Sequence, residues 1–133
     1  MIVVADTTPL NYLILIDEVD LLPVLFGQVL LPQAAFQELQ HSKTPPKVRQ
    51  WMAHLPAWLE VRTVTTVASP ALMNLDIGER EAIQLALELG VNTVLIDEAE
   101  GRQVAERFTW RYEERWASWS ADRSWARPIF AKH

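Results

Sequence analysis

Residues 2–16 read Ile2-Val3-Val4-Ala5-Asp6-Thr7-Thr8-Pro9-Leu10-Asn11-Tyr12-Leu13-Ile14-Leu15-Ile16, and they pass from strand to helix across one carboxylate. Ile2–Ala5 is a short apolar run closed by a polar residue, the pattern of a buried strand. Thr7-Thr8-Pro9 reads as a helix start, with a Thr cap and Pro at the first helical position, and the helix runs to about Ile16. The same alternation recurs outward along the chain. Asp20–Phe26 reads as a short helix stopped by Gly27, Gln28–Leu31 as a strand, and Pro32 to about Gln40 as a helix. Lys47–Leu55 reads as helical, and Val61–Val67, alternating and β-branched, as a strand. Gly78–Leu89 is the clearest helix, stopped by Gly90, and is followed by a strand at Thr93–Ile96 and a helix at Glu98–Arg107. This order predicts an α/β fold, a three-layer sandwich around a mostly parallel central sheet. In such sheets the working cleft lies beyond the carboxyl ends of the strands.

The length of 133 residues suits one domain, and a hydrophobic fraction of 50% is enough for a real core. A formal net charge of −5 argues against a basic surface wrapping nucleic acid. With no cysteine, disulfides, thiolate zinc sites, iron–sulfur clusters and Cys nucleophiles are excluded. The apolar runs are shorter than the ~20 residues a membrane span needs. Met1-Ile2-Val3-Val4-Ala5-Asp6 lacks a basic start and a small-residue cleavage site, so the expected location is the cytoplasm. Residues 1–108 carry seven Lys and Arg against fourteen Asp and Glu, whereas residues 109–133 carry five against three. Four of the six Trp (Trp110, Trp116, Trp119 and Trp125) fall in the second stretch. A body of residues 1–108 and a Trp-rich tail of residues 109–133 are therefore expected.

Asp6 and Asp97 each end a strand and precede a helix, so a parallel sheet brings both to one edge. The ordinary reading of such residues is a helix cap. Glu38 shares a helix face with Ala34 and Ala35, a small apolar side on which a carboxylate needs a partner. Glu79 shares its face with Ala82, Ile83 and Ala86, and Glu81 with Gln84, Leu85 and Glu88. Glu79 is thus expected to point toward the sheet and Glu81 more toward solvent. Carboxylates converging without His or Cys repel one another unless a hard cation sits among them, and oxygen-only sites suit Mg²⁺ or Mn²⁺. Such an ion activates water and meets phosphate charge, which reconciles an acidic body with a nucleic-acid substrate. His41, His54 and His133 show no ligand spacing, and four glycines at 27, 78, 90 and 101 form no phosphate loop.

With these acids in place, the chain resembles a PIN-domain protein, and more narrowly the VapC-like prokaryotic branch. The likeness rests on Val4-Ala5-Asp6-Thr7-Thr8-Pro9-Leu10, on Leu31-Pro32 through Glu38-Leu39, on Leu75-Asp76-Ile77-Gly78-Glu79-Arg80-Glu81-Ala82-Ile83, and on Leu95-Ile96-Asp97-Glu98 with Gly101-Arg102. The resemblance implies a metal-dependent endoribonuclease acting on RNA with Mg²⁺ or Mn²⁺, the toxin of a toxin–antitoxin pair whose protein partner is an antitoxin. Relatives commonly form homodimers. The family's first acid falls on Asp6, its second on Glu38 and its fourth on Asp97. Its third falls on Glu79 or Glu81, and the helix-face reading favours Glu79. Thr8 matches a hydroxyl position that orients water at the ion, and Arg102 is placed to meet a phosphate.

Past Arg107 the pattern breaks. Relatives continue with a Gly-rich strand and a basic helix, whereas Thr109-Trp110-Arg111-Tyr112-Glu113-Glu114-Arg115-Trp116 has neither strand nor helix period. One back-translation of residues 109–120, shifted by one nucleotide, reads Leu-Ala-Val-Arg-Gly-Thr-Leu-Gly-Val-Leu-Val, the strand the family pattern wants. This suggests a frameshifted C-terminus, with an edge strand and a covering helix lost; the alternative is a genuine Trp-rich tail that packs on the body or on a partner. The alternative function is a catalytically impaired remnant that only binds an antitoxin or itself. A response-regulator phosphotransfer domain is disfavoured because Asp6 has no acidic neighbour and no Lys lies between Lys47 and Lys132.

Overall fold

The computed structural model describes residues 2–67, 70–73, 75–91 and 93–97, and the backbone of 127–128. The predicted helix Glu98–Arg107, Arg102 within it, and the tail apart from those two residues lie outside the described residues. The elements are β1 (Ile2–Ala5), α1 (Thr7–Leu15), α2 (Leu21–Phe26), β2 (Gln28–Pro32), α3 (Gln33–Glu38), α4 (Pro46–Met52), β3 (Leu59–Arg62), α5 (Ile77–Leu89), β4 (Thr93–Leu95) and β5 (Arg127–Pro128), with a single 3₁₀ turn at Pro70–Leu72. The sheet order is β3-β2-β1-β4-β5. The first four strands are parallel, and β5 pairs antiparallel to β4. This is the α/β arrangement the alternation predicts.

Side chains along a strand alternate between the two faces of the sheet, and the core divides accordingly. Val3, Ala5, Val29, Leu31 and Leu95 point to one face, where they pack with Leu10 and Leu13 of α1, Phe26 of α2, and Val48 and Met52 of α4. Val4, Leu30 and Val94 point to the other, against Ala82, Leu85 and Ala86 of α5. Among the described residues one helix covers the second face, and its two Ala residues let it lie close to the strands. The Asp76 carboxylate caps α5 by accepting the Glu79 N–H at 2.9 Å, and Gly90, at φ 70°, ends the helix in the left-handed conformation.

Two boundaries differ from expectation for physical reasons. The third strand lies at Leu59–Arg62 and not at Val61–Val67. Pairing stops at Pro32↔Arg62, where β2 ends, so among the described residues the β-branched run beyond it has no partner strand. That run turns onto α5 instead. The Glu88 carboxylate accepts the backbone N–H groups and hydroxyls of Thr65 and Thr66, and the Gln84 amide donates to the Thr66 carbonyl. At the first helix, Asp6 and not Thr7 occupies the cap position, so Pro9 is the third helical residue. Proline is tolerated there because first-turn N–H groups have no intrahelical acceptor. At the β4 edge, Thr93↔Pro128 and Val94↔Arg127 pair two residues of the tail with the sheet.

Candidate metal centre

β1 and β4 run side by side, with Ala5 level with Leu95, and the Asp6 N–H donates to the Leu95 carbonyl at 2.8 Å. The carboxyl ends of both strands therefore meet at one edge, and Asp97 stands two residues past Leu95 at that edge. Asp6 alternates onto the α5 face and is only 4% exposed. Despite its cap position it makes no capping bond to α1. Its Oδ1 instead accepts the Thr7 hydroxyl at 3.0 Å. The same hydroxyl lies 3.4 Å from Glu38 Oε1, so one buried Thr side chain ties the two carboxylates together. Glu38 is itself exposed, the last residue of α3, with its partner Thr7 lying across the gap between helices. The apolar burial expected for it is thus corrected: the helix ends there and its side chain looks out across a cleft. That cleft, about 220 Å³, is lined by Thr7, Thr8, Asn11, Glu38, Leu39, Thr44 and Pro45.

Gly78, in the first turn of α5, closes the other side of Asp6. A Cβ there would stand 2.7 Å from Asp6 Oδ1 and 3.4 Å from Glu38 Oε1. Only glycine lets the helix backbone come this close to the two carboxylates. Burial pushes the Asp6 carboxyl up from its ordinary 3.8 to about 6, and the negative charges of Asp76 and Glu38 push the same way against the Thr7 hydrogen bonds. A buried acid raised in this way, among other oxygen donors, is a group whose charged form a hard divalent cation stabilises. The oxygen donors of Asp6 and Glu38, with no side chain at Gly78 between them, fit such an ion as two of its ligands.

Among the described residues, no three His, Cys, Asp or Glu side chains approach closely enough to hold a metal ion. Asp6 and Glu38 both lie within reach of the Thr7 hydroxyl, whose one proton goes to the nearer Asp6 Oδ1 or to Glu38 Oε1 but not to both at once. Glu79 and Glu81 lie on opposite flanks of α5, each about 80° from the buried stripe by the 3.6-residue turn. Glu81 is not turned to solvent as expected. It is half-buried, and its Oε1 accepts the Ala34 N–H of α3 at 3.2 Å. Helix-face reasoning failed here because Gln84, which shares the Glu81 face, is buried by its bonds to Thr66. Glu79 is half-buried on the opposite flank, away from α3. Thr8 is exposed on the cleft wall. Two participants were missed in the sequence: Thr7, passed over as a cap, and Asp76, whose position three residues before Glu79 is a capping-box signature.

A family model described as a PIN domain matches residues 2–112. No curated protein and no solved structure gives a significant match. No helix among the described residues is long and apolar enough to cross a membrane. With a parallel α/β sheet, carboxylates at the carboxyl ends of its strands and a match over most of its length, the chain belongs to the PIN-domain family, whose members are in general metal-dependent nucleases acting on nucleic acid.

Proposed function

We propose that the protein is a divalent-metal-dependent endoribonuclease that hydrolyses RNA phosphodiester bonds, and that it serves in the cytoplasm as the toxin of a toxin–antitoxin pair. The observation that carries the nuclease reading is the buried Asp6 carboxylate, raised to about 6 and walled by Gly78, Thr7 and Glu38. Asp6, Glu38, Glu79 and Asp97 are the residues that would hold Mg²⁺ or Mn²⁺. When bound, the ion lowers the pKa of water and supplies positive charge to the phosphate. Asp6, buried and deprotonated in the loaded site, would be one of the groups holding the ion, and the Thr7 hydroxyl fixes its orientation. Glu38, on the open side of the cleft, accepts a proton from the attacking water, while the Thr8 hydroxyl holds a phosphate oxygen or water beside it. Arg102, matched by the resemblance alone, would meet the phosphate. The toxin assignment, the antitoxin partner and a homodimer follow from the resemblance to the VapC-like branch.

The test is cleavage of a labelled single-stranded RNA by the purified protein, with Mn²⁺, with EDTA, and with Asp6→Asn. Cleavage that needs Mn²⁺ and falls by about 10²-fold or more in the variant is expected. Equal cleavage by wild type and Asp6→Asn, or cleavage in EDTA, overturns the proposal. Absence of turnover and of Mn²⁺ binding, with tight binding to the product of an adjacent small gene, establishes the binding-only remnant instead.

A further inference from the structure

We infer that Glu81 is a positioning residue, whose carboxylate caps α3 from α5 and thereby sets where Glu38 stands beside Asp6. α3 begins after Pro32, which has no side-chain acceptor to offer, and no residue of its own caps it. The Ala34 N–H would be an orphan of the first turn, and Glu81 Oε1 accepts it across 3.2 Å. A negative charge at that end is also favoured by the helix dipole. Ala34 and Glu38 are four residues apart and share a face of α3, while Gly78 and Glu81 are three apart and share a face of α5. The two helices are thus registered at two points: Ala34 on Glu81, and Glu38 against Gly78, where an added Cβ would meet its Oε1 at 3.4 Å. α3 is only six residues long, so loosening one end moves the other. This role removes Glu81 from the ion and leaves Glu79 as the third acid; it rests on the reading of Asp6 and Glu38 as metal-holding groups.

The experiment uses Glu81→Gln, which keeps an acceptor at the right length, Glu81→Ala, which removes it, and Glu81→Asp, which keeps the charge but is too short. Amide exchange of Ala34 is followed by NMR in metal-free protein, and Mn²⁺ affinity is measured by calorimetry. Glu81→Gln is expected to keep Ala34 protected and Mn²⁺ affinity within about 3-fold. Glu81→Ala and Glu81→Asp are expected to lose that protection and about 10–100-fold in Mn²⁺ affinity, the scale for groups that orient a ligand. Glu81→Gln binding Mn²⁺ as poorly as Glu81→Ala makes Glu81 a ligand and overturns the inference. Unchanged Ala34 exchange in Glu81→Asp does so too, and that variant decides the matter if Glu81→Ala does not fold. A wild type that binds no Mn²⁺ removes the metal reading alone, because Ala34 exchange reports the clamp without metal.

Discussion

Asp6 holds its place against an electrostatic cost. Its folded pKa, about 6, stands above the ordinary 3.8. Between those values the folded protein retains a proton that the unfolded chain has released. Stability of the metal-free protein therefore falls as pH rises through that window, by up to about 3 kcal/mol for a shift of this size. Asp6→Asn should remove this dependence and be the more stable protein at pH 7.5 in EDTA, as read by urea unfolding at several pH values. Identical pH profiles for the two proteins would show that burial does not act on Asp6 as described. Gly78 permits a sharper separation of fold from site. Gly78→Ala gains about 1 kcal/mol of helix propensity but places a methyl group 2.7 Å from Asp6 Oδ1. The carboxylate must move, so Mn²⁺ affinity should fall by about 10-fold with little change in unfolding midpoint. Calorimetry and thermal melting on the same sample check both halves.

At the scale of elements, α5 is the platform. Its buried face carries the second core, its first turn admits the carboxylates, and its last turns hold the segment after β3. Glu88 does the holding: the Thr66 hydroxyl first, then the other N–H and hydroxyl donors, keep its carboxyl below the usual range. That stabilisation is present above the ordinary carboxylate pKa and is lost as pH falls through the lowered value. Glu88→Ala should raise amide exchange at Thr65 and Thr66 while costing no more than about 1 kcal/mol overall, since the bonds are at the surface. Most elements were legible from the sequence because their signals are local: Ile2–Ala5 is apolar throughout, and Gly27 and Gly90 stop helices where only glycine adopts positive φ easily. The third strand was misplaced because strand pairing is not local. Thr63–Val67 looks like a strand, and only the end of β2 at Pro32 denies it a neighbour.

For the whole molecule, ion binding and folding are linked. Mn²⁺ at about 100 times its Kd should stabilise the protein by about 2.7 kcal/mol, seen as a rise of several degrees in the melting midpoint that EDTA reverses. Asp6→Asn should show no such rise. The tail belongs to this scale as well. Its residues Arg127–Pro128 add two pairs to the β4 edge, where the resemblance to the VapC-like branch leads one to expect a full strand followed by a helix. We propose that residues 109–133 are a shifted reading of that strand and helix. The codons of the gene for residues 109–120 decide it, and codons unable to give Gly-Thr-Leu-Gly in the adjacent frame end the idea.

The order of strands and helices, the parallel sheet and the placement of Asp6 and Asp97 at its carboxyl edge were determined by the sequence alone. Each follows from apolar runs, Gly and Pro punctuation and the rule that parallel strands end together. The partnership of Thr7 with Asp6 and Glu38, the nearness of Asp76, the steric role of Gly78 and the opposite fates of Glu79 and Glu81 were decided only by the tertiary structure. These depend on how closely α5 approaches β1 and α3, a distance set by packing across the core between segments far apart in the chain.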